Sequence, residues 1–210
     1  MSTASPAAGS IAVLDYGIGN LASAHKALVH LGADARLVTD PAQAAGASAV
    51  VLPGVGAFGP CARALRRSGL DIVVRRAVDD GIPFLGICVG FQLLYEASEE
   101  SPDVPGLGVF SGVVRRLPPG EKHPQMQWNT LQTIRPSVLL RGVGAEPWVY
   151  FVHSYAPERT ADAVAVCDYG GPVVAAAERD RVWGTQFHPE KSGANGLAIL
   201  ANLVAAAAGA

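Results

Sequence analysis

The ten residues PFLGICVGFQ, at positions 83–92, contain the pattern from which the fold can be predicted. Residues 83–87 form a short apolar run, which is typical of a strand buried on both faces. Cys88 follows, flanked by Gly86 and Gly90, and a helical pattern begins at 91–96. A strand that passes through a glycine-flanked turn into a helix predicts a parallel α/β sheet with Cys88 held up at the turn.

The first half of the chain repeats this order of strand and helix. Helical patterns lie at about 21–31 and 60–80, the second with a break near Gly69. The strands are continuously apolar rather than alternating, so we expect helices on both faces of a mostly parallel open sheet. The four strands predicted here are 11–15, 35–38, 49–52 and 83–87.

The second half of the chain contains strands close together, with turn residues between them. Gly170-Gly171 separates two of them and is a hairpin signal, so we expect some antiparallel additions to the sheet. A closing helix is predicted at 197–207. The strands predicted here are 108–117, 148–154, 163–168, 173–177 and 182–187.

Composition limits the kind of protein. The 210 residues suit one domain, expected at 11–208 after an Ala/Ser/Pro-rich disordered tail at 1–10 that lacks the features of a secretory signal. A net charge of -2 without basic runs argues against nucleic-acid and membrane partners. Three widely spaced cysteines predict neither disulfides nor a metal site, and a reducing, cytoplasmic location.

Cys88 is the candidate nucleophile. The N-terminus of the following helix would favour its thiolate, and the N–H of Val89 would face the oxygen of an attacked carbonyl. A small buried cysteine that only packs is the alternative, and the five residues 86–90 alone weigh the two equally. Cys61 and Cys167 lack such a turn, so we interpret them as core residues.

His188 and Glu190 are the candidate base and orienting carboxylate. They follow the last predicted strand in the sequence QFHPE, and in an extended segment two residues apart their side chains would project the same way. Alone, His-Pro-Glu is usually a loop; together with the cysteine turn it predicts a Cys-His-Glu triad at the carboxyl ends of the strands. His153 is the second candidate base, His123 lies in a loop, and His25 and His30 are expected to be solvated.

A glycine loop follows the third predicted strand. Gly54, Val55 and Gly56 could direct backbone N–H groups at a bound oxygen and complete an oxyanion hole with Val89. The alternative is an ordinary tight turn.

These segments, PGVGAF (53–58), GICVGFQ (86–92) and QFHPE (186–190), resemble the triad, class I glutamine amidotransferases, whose fold is flavodoxin-like. A finer resemblance is to the glutaminase subunits of imidazole glycerol phosphate synthases. It rests on DYGIGNL (15–21), YFVHSYA (150–156) and EKSG (190–193).

The resemblance implies that the chain hydrolyses glutamine to glutamate and ammonia without a cofactor, through a thioester on Cys88. A (β/α)8-barrel cyclase would form a heterodimer with it and use the ammonia to make imidazole glycerol phosphate and an aminoimidazole carboxamide ribotide in histidine biosynthesis. The residues implied to hold glutamine are Gly56, Gln92, Ser154 and Tyr155. Those implied to lie at or near the partner surface are Asn20, Trp128, Tyr150 and Lys191.

The chain departs from the family pattern in one segment. Where the family has Pro-His-Met-Gly-Trp-Asn, this chain has PQMQWN at 124–129, so Gln125 replaces histidine and Gln127 replaces glycine beside Trp128. Val89 and Phe91 replace the commoner leucine and methionine, which are mild apolar exchanges.

Three other functions compete with this one. The spacing of Gly17, Gly19 and Ala22 after a strand, with Asp40 downstream, approximates a dinucleotide-binding fingerprint, but Asp15 would repel a pyrophosphate. A non-catalytic subunit would not need the intact triad. A glutaminase that serves another acceptor, such as vitamin B6 synthesis, is disfavoured by the segments 15–21 and 190–193.

Overall fold

A computed structural model describes residues 9–209, and all structural statements concern these residues. Their strands are β1 (Ser10–Leu14), β2 (Asp34–Val38), β3 (Ala49–Gly54), β4 (Phe84–Cys88), β5 (Ala97–Ser98), β6 (Val113–Arg116), β7 (Gln125–Thr130), β8 (Gln132–Thr133), β9 (Trp148–His153), β10 (Tyr155–Pro157), β11 (Ala163–Asp168), β12 (Pro172–Arg179) and β13 (Val182–Thr185). Their α-helices are α1 (Leu21–His30), α2 (Phe58–Arg67), α3 (Asp71–Asp79), α4 (Val89–Gln92) and α5 (Gly193–Ala207).

The main sheet has a parallel part and an antiparallel part. Within residues 9–209 its strand order is β2-β1-β3-β4-β13-β12-β11-β8. Strands β2, β1, β3, β4 and β13 pair in parallel, and β12, β11 and β8 continue the sheet with antiparallel pairs. The predicted fold class, a mostly parallel sheet with antiparallel additions, is confirmed.

The central strands are covered on both faces. Every residue of β3 and of β4 is buried, so side chains on both sides of the sheet are removed from water. The continuous apolar runs of the sequence therefore mark the middle of the sheet, as expected for parallel strands. Their carboxyl ends meet at one edge, where Gly54 of β3 pairs with Cys88 of β4.

Helix α4 is anchored to the sheet by aromatic packing. The ring of Phe91 makes edge-on contacts with Tyr95 and Phe110, at centroid distances of 5.4 and 6.1 Å. It also lies over Gly184 of β13, where an added Cβ would come within 1.7 Å of the ring. The glycine on β13 thus lets the first residues after Cys88 pack tightly against the neighbouring strand.

Two smaller sheets accompany the main one. Strand β7 pairs with β9 in antiparallel register, from Gln125 opposite His153 to Thr130 opposite Trp148, and we call this pair the β7–β9 ribbon. Strands β10, β6 and β5 form the other small sheet. The sequence patterns missed β5, β7, β8 and β10, because short or polar strands give little apolar signal.

Several predicted boundaries differ from the structure. The break predicted near Gly69 is confirmed, because the pattern at 60–80 is two helices, α2 and α3, with Gly69 between them at a φ of +72°. The helix expected at 91–96 is the short α4, and the strand expected at 108–117 is reduced to β6. Ser10, expected in the tail, begins β1 and pairs with Asp34, whereas residues 1–8 of that tail lie outside the described residues.

No helix within the described part of the chain is long and apolar enough to cross a bilayer.

Candidate functional site

Cys88 occupies a strained turn between β4 and α4. Its φ is +54° and its ψ is −111°, a conformation that L-residues rarely adopt and that costs on the order of 1–3 kcal/mol. The flanking glycines allow this turn through close packing. A Cβ on Gly90 would lie 1.8 Å from the carbonyl oxygen of Leu52, and one on Gly86 would lie 2.8 Å from that of Gly90. The predicted glycine-flanked turn is present, and the strained torsion angle is that of the cysteine itself.

The helix after Cys88 is shorter than the sequence indicated. It spans four residues, Val89–Gln92, so it lacks the length over which peptide dipoles accumulate. The expected help from a helix N-terminus is therefore reduced to the local N–H groups, of which Val89 carries the first.

The glycine loop lies directly beside the nucleophile. Gly54 pairs with Cys88 across the parallel strands, and Val55 and Gly56 line the cavity above them. Two hydrogen bonds hold the loop from behind: the hydroxyl of Tyr16 donates to the carbonyl of Pro53 at 2.9 Å, and the thiol of Cys61 donates to the carbonyl of Val55 at 3.3 Å. Because a trans peptide directs its C=O and N–H oppositely, the N–H of Gly56 points away from Cys61.

His188 and Glu190 form a buried pair. Nδ1 of His188 lies 2.7 Å from Oε1 of Glu190, and each side chain is only 2% exposed. The two are not in an extended segment, as the sequence suggested: Pro189–Lys191 is a 3-10 turn that begins directly after His188 and folds the carboxylate back onto the ring. A carboxylate only accepts, so Nδ1 carries the hydrogen and Nε2 is the basic nitrogen.

The charge state of His188 is set by its neighbours. Burial lowers the pKa of the imidazole, but the sulfur of Cys88 and the carboxylate of Glu190 outweigh burial and raise this pKa to about 10. Both contacts favour the charged ring, so the site stabilises the imidazolium that forms when His188 accepts a proton.

The backbone around His188 is fixed to the β7–β9 ribbon. The N–H of His188 donates to the carbonyl of Tyr150 at 2.9 Å. The hydroxyl of Ser192 donates to the carbonyl of His188 at 2.6 Å and accepts the N–H of Tyr150 at 3.0 Å. Ser192 is a supporting residue to which the sequence reasoning assigned no role.

A cavity of about 270 Å³ opens over Cys88 and His188. It brings together all four residues expected to hold glutamine, as well as Val55 and Val89 of the expected oxyanion hole. Glu100 and Pro124 also line it, although neither was among the site residues expected from the sequence. The cavity-lining residues are Val55, Gly56, Cys88, Val89, Gln92, Glu100, Pro124, Val152, His153, Ser154, Tyr155 and His188.

The four residues expected near the partner surface lie outside the cavity wall. Trp128 is 47% exposed and packs edge-on against Tyr150, with centroids 6.1 Å apart. Lys191 is exposed, and Asn20 contacts Glu190. The β7–β9 ribbon also presents the side chains of Met126, Trp128 and Trp148 to solvent.

Burial determines the properties of the other cysteines and of His153. Burial raises the pKa of Cys61 and of Cys167 to about 11, so both behave as core thiols. Burial lowers the pKa of His153 to about 4, which keeps this ring neutral beside the cavity. His25 was expected to be solvated, but it is half-buried with Nε2 3.0 Å from the carbonyl oxygen of Ala35.

A comparison with protein families agrees with this geometry. Residues 12–207 match the family model described as glutamine amidotransferase class-I. The chain belongs to the class-I glutamine amidotransferase family. The strained Cys88 and the bonded pair of His188 and Glu190 lie in the two segments, 86–92 and 186–190, that carried the resemblance to this family.

Curated relatives of this amidotransferase cover nearly its whole length. Imidazole glycerol phosphate synthase subunit HisH of Methanothermobacter thermautotrophicus is 49% identical over 195 residues, which is 92% of this chain and 97% of the relative. The protein of the same name from Thermosynechococcus vestitus is 48% identical over 203 residues, covering 93% and 96%.

Solved structures support the fold. A crystal structure of a glutamine amidotransferase aligns with a TM-score of 0.75 at 23% identity, covering 95% of this chain and 99% of the other. A chain of the PurLQS structure from Thermotoga maritima aligns with a TM-score of 0.75 at 19% identity, covering 94% of this chain and 98% of the other.

The turn after β1 argues against the dinucleotide-binding alternative. Gly17 and Gly19 lie between β1 and α1, as the fingerprint would require, but a carboxylate oxygen of Asp15 already accepts the N–H of Gly17 at 3.0 Å. The side chain of Asp15 therefore occupies the turn where a phosphate would bind.

Proposed function

We propose that this chain is the glutaminase subunit of an imidazole glycerol phosphate synthase. The observation that carries the proposal is the strained Cys88 in a cavity it shares with His188, itself bonded to Glu190. The relatives named as HisH, which are 48–49% identical over almost the whole chain, support the assignment to this synthase.

The first chemical step is attack by sulfur. His188 Nε2 takes the proton of the Cys88 thiol, and the sulfur forms a bond to the side-chain amide carbon of glutamine, whose carbonyl electrons move to oxygen. When the intermediate collapses, His188 returns the proton to the amide nitrogen, the C–N bond breaks and ammonia leaves. Glu190 keeps the ring oriented through its 2.7 Å contact with Nδ1.

The second step releases glutamate. Water attacks the thioester carbon while His188 Nε2 accepts one of its protons. Collapse breaks the C–S bond and returns its electron pair to the Cys88 sulfur, which takes the proton back from His188 as glutamate departs. In both steps the N–H of Val89 and those of the loop from Gly54 to Gly56 would stabilise the negative oxygen.

The cavity has the polar groups that glutamine needs. Gln92, Ser154 and Tyr155 line one side, and Gly56 lines the loop side. Glu100 supplies a carboxylate, which suits the α-ammonium group of an amino acid; one of its oxygens also accepts the N–H of Phe58 at 2.7 Å.

The ammonia has an acceptor in a second subunit. We propose a heterodimer with a (β/α)8-barrel cyclase, which would use the ammonia to form imidazole glycerol phosphate and an aminoimidazole carboxamide ribotide. The resemblance places Asn20, Trp128, Tyr150 and Lys191 at or near this surface. Two of them contact the proposed triad, since Asn20 bonds to Glu190 and the carbonyl of Tyr150 accepts the N–H of His188. The exposed aromatic face of the β7–β9 ribbon supports such a contact.

The test is glutamate release from glutamine by the purified chain, alone and with a histidine-pathway cyclase barrel and its ribonucleotide substrate. We expect strong stimulation by barrel and ribonucleotide together, and loss of turnover in Cys88→Ala. Substantial turnover by Cys88→Ala would refute the nucleophile. High turnover by the chain alone, unchanged by the barrel, would indicate a hydrolase that serves another acceptor.

A further inference from the structure

A buried amide lies against the sulfur of Cys88. Nε2 of Gln186 is 3.7 Å from Cys88 Sγ, and Gln186 is 0% exposed. The residue follows β13, the strand that pairs with β4, so the sheet itself places its side chain beside the nucleophile. Its backbone is fixed by a 2.8 Å hydrogen bond from its N–H to the carbonyl of Ala175.

The orientation of the Gln186 amide follows from a chain of two hydrogen bonds that ends at the backbone carbonyl of Tyr155. The carbonyl oxygen of Tyr155 can only accept, and Gln92 Nε2 lies 2.9 Å from it, so the NH₂ end of Gln92 must face Tyr155. The second hydrogen of that NH₂ group reaches Oε1 of Gln186 at 3.0 Å. Gln186 therefore accepts with its oxygen and turns its own NH₂ group toward the sulfur.

The network is anchored beyond Tyr155. Nδ1 of His153 lies 2.9 Å from the same carbonyl, and since that oxygen only accepts, this nitrogen also carries a hydrogen. Two donors thus hold the Tyr155 carbonyl, and neither amide can rotate without leaving a buried polar group unpaired. A buried polar group without a partner is unfavourable, so the network resists reversal.

From this geometry we infer that Gln186 is a further catalytic residue, which donates a hydrogen bond to the Cys88 sulfur and stabilises its thiolate. A negatively charged sulfur accepts from an N–H more strongly than a neutral thiol does, so a fixed donor favours the charged form. Helix α4 has only four residues and therefore a small dipole, so it stabilises a thiolate on Cys88 little and a further donor is needed. The inference rests on the proposed role of Cys88 as the nucleophile.

The chain offers a matched control in Gln125. It is also 0% exposed, and its Nε2 lies 3.8 Å from the sulfur of Cys167, a thiol outside the cavity. Replacing either glutamine with methionine removes a buried amide from contact with a thiol and keeps the length of the side chain. Only the change at Gln186 should alter the chemistry of Cys88.

The experiment measures the rate of Cys88 alkylation by iodoacetamide from pH 5.5 to 9.5, with the modified cysteine identified by peptide mass spectrometry. In Gln186→Met we expect the rate at pH 6.5 to fall about tenfold relative to wild type, the effect of losing a hydrogen bond to a charged group, with recovery at high pH. Gln186→Glu has the same shape but sets a carboxyl oxygen against the sulfur, so its loss should be larger. Gln125→Met should follow the wild-type profile.

Cys61 and Cys167 are buried and do not line the cavity over Cys88, so they react only if the chain opens and report on folding in the same digest. If Gln186→Met exposes them, the isosteric Gln186→Glu carries the test. A wild-type pH profile in a folded Gln186 variant, or an equal fall in Gln125→Met, would overturn the inference. Since iodoacetamide is not the substrate, this result is separate from whether the wild-type chain hydrolyses glutamine.

Discussion

Asn20 and Glu190 are joined by a hydrogen bond, although 170 positions separate them: Nδ2 of Asn20 lies 3.4 Å from Oε1 of Glu190. The same oxygen accepts Nδ1–H of His188 at 2.7 Å. Asn20 precedes α1, yet its side chain forms no capping bond with that helix. A residue expected at the partner surface is thus in direct contact with the carboxylate that we propose orients the base.

This contact predicts that Asn20 influences turnover through Glu190. Asn20→Ala removes a donor to a buried carboxylate, and we expect kcat for glutamate release in the presence of the barrel to fall about tenfold. Asn20→Asp places two carboxylates side by side, and the repulsion should lower kcat further, by about a hundredfold. Steady-state kinetics at saturating glutamine would measure both.

Asn202 provides the control for Asn20. Its side chain donates to the carbonyls of Leu139 and Arg141, each at 2.8 Å, away from the cavity. Asn202→Ala should lower the melting temperature but leave kcat unchanged. An Asn20→Asp variant with wild-type kcat would show that the Asn20–Glu190 bond has no part in turnover.

The exposed aromatic face of the β7–β9 ribbon predicts where the barrel binds. Trp128 is 47% exposed and stacked edge-on against Tyr150, an arrangement typical of an interface anchor. Trp128→Ala should raise the dissociation constant of the complex at least tenfold, measured by titration calorimetry. Ile72 is similarly exposed, at 46%, on α3, and Ile72→Ala should bind as wild type. The reverse ranking would place the interface elsewhere.

The sequence predicted the parallel sheet because its strands are apolar on both faces. All residues of β3 and β4 are buried, so each strand is a continuous apolar run in the sequence rather than an alternating one. The proposed triad could be located for a related reason, because Cys88 ends β4 and His188 follows β13, two neighbouring parallel strands that end at the same edge of the sheet. Glu190 was placed correctly beside His188, but through a 3-10 turn rather than an extended segment.

The ribbon and the contacts around the triad could not be predicted in this way. Strand β7 is mostly polar, and it is a strand because β9 offers a complementary edge about twenty residues later. The bonds from Asn20 to Glu190 and from Gln186 to Cys88 span 170 and 98 positions. No local pattern encodes a bond at that separation, since the fold must first bring the two segments together.

Burial of His153 predicts a pH-dependent stability. The pKa of the ring in the folded chain is about 4, below its ordinary value of 6.5, because burial disfavours the charged form. As pH falls from 6.5 towards 4, the unfolded chain binds a proton that the folded chain does not, so the folded state loses stability. The difference corresponds to at most about 3 kcal/mol.

The variant His153→Asn cannot titrate, so its free energy of unfolding should depend less on pH between 6.5 and 4 than that of the wild type. Urea denaturation at several pH values would measure this. His30 is exposed on α1, and His30→Asn should keep the wild-type slope. Equal slopes in the wild type and in His153→Asn would mean that His153 is not neutral by burial.

The close packing beside the strained turn at Cys88 predicts that replacement by alanine has different effects at Gly90 and at Gly142. A Cβ at Gly142 meets no atom within 4 Å, and the cost of Gly142→Ala is only that of its φ of +74°, about 1 kcal/mol. A Cβ at Gly90 would lie 1.8 Å from a backbone oxygen of β3, so α4 must move away from the strand. We expect Gly90→Ala to destabilise the chain by about 3 kcal/mol or more and to abolish glutaminase activity even where the chain stays folded, because Cys88 moves with α4. Thermal melting measures the loss of stability, and glutamate release measures the loss of activity. A Gly90→Ala variant with the melting temperature and turnover of Gly142→Ala would contradict the close contact between α4 and β3.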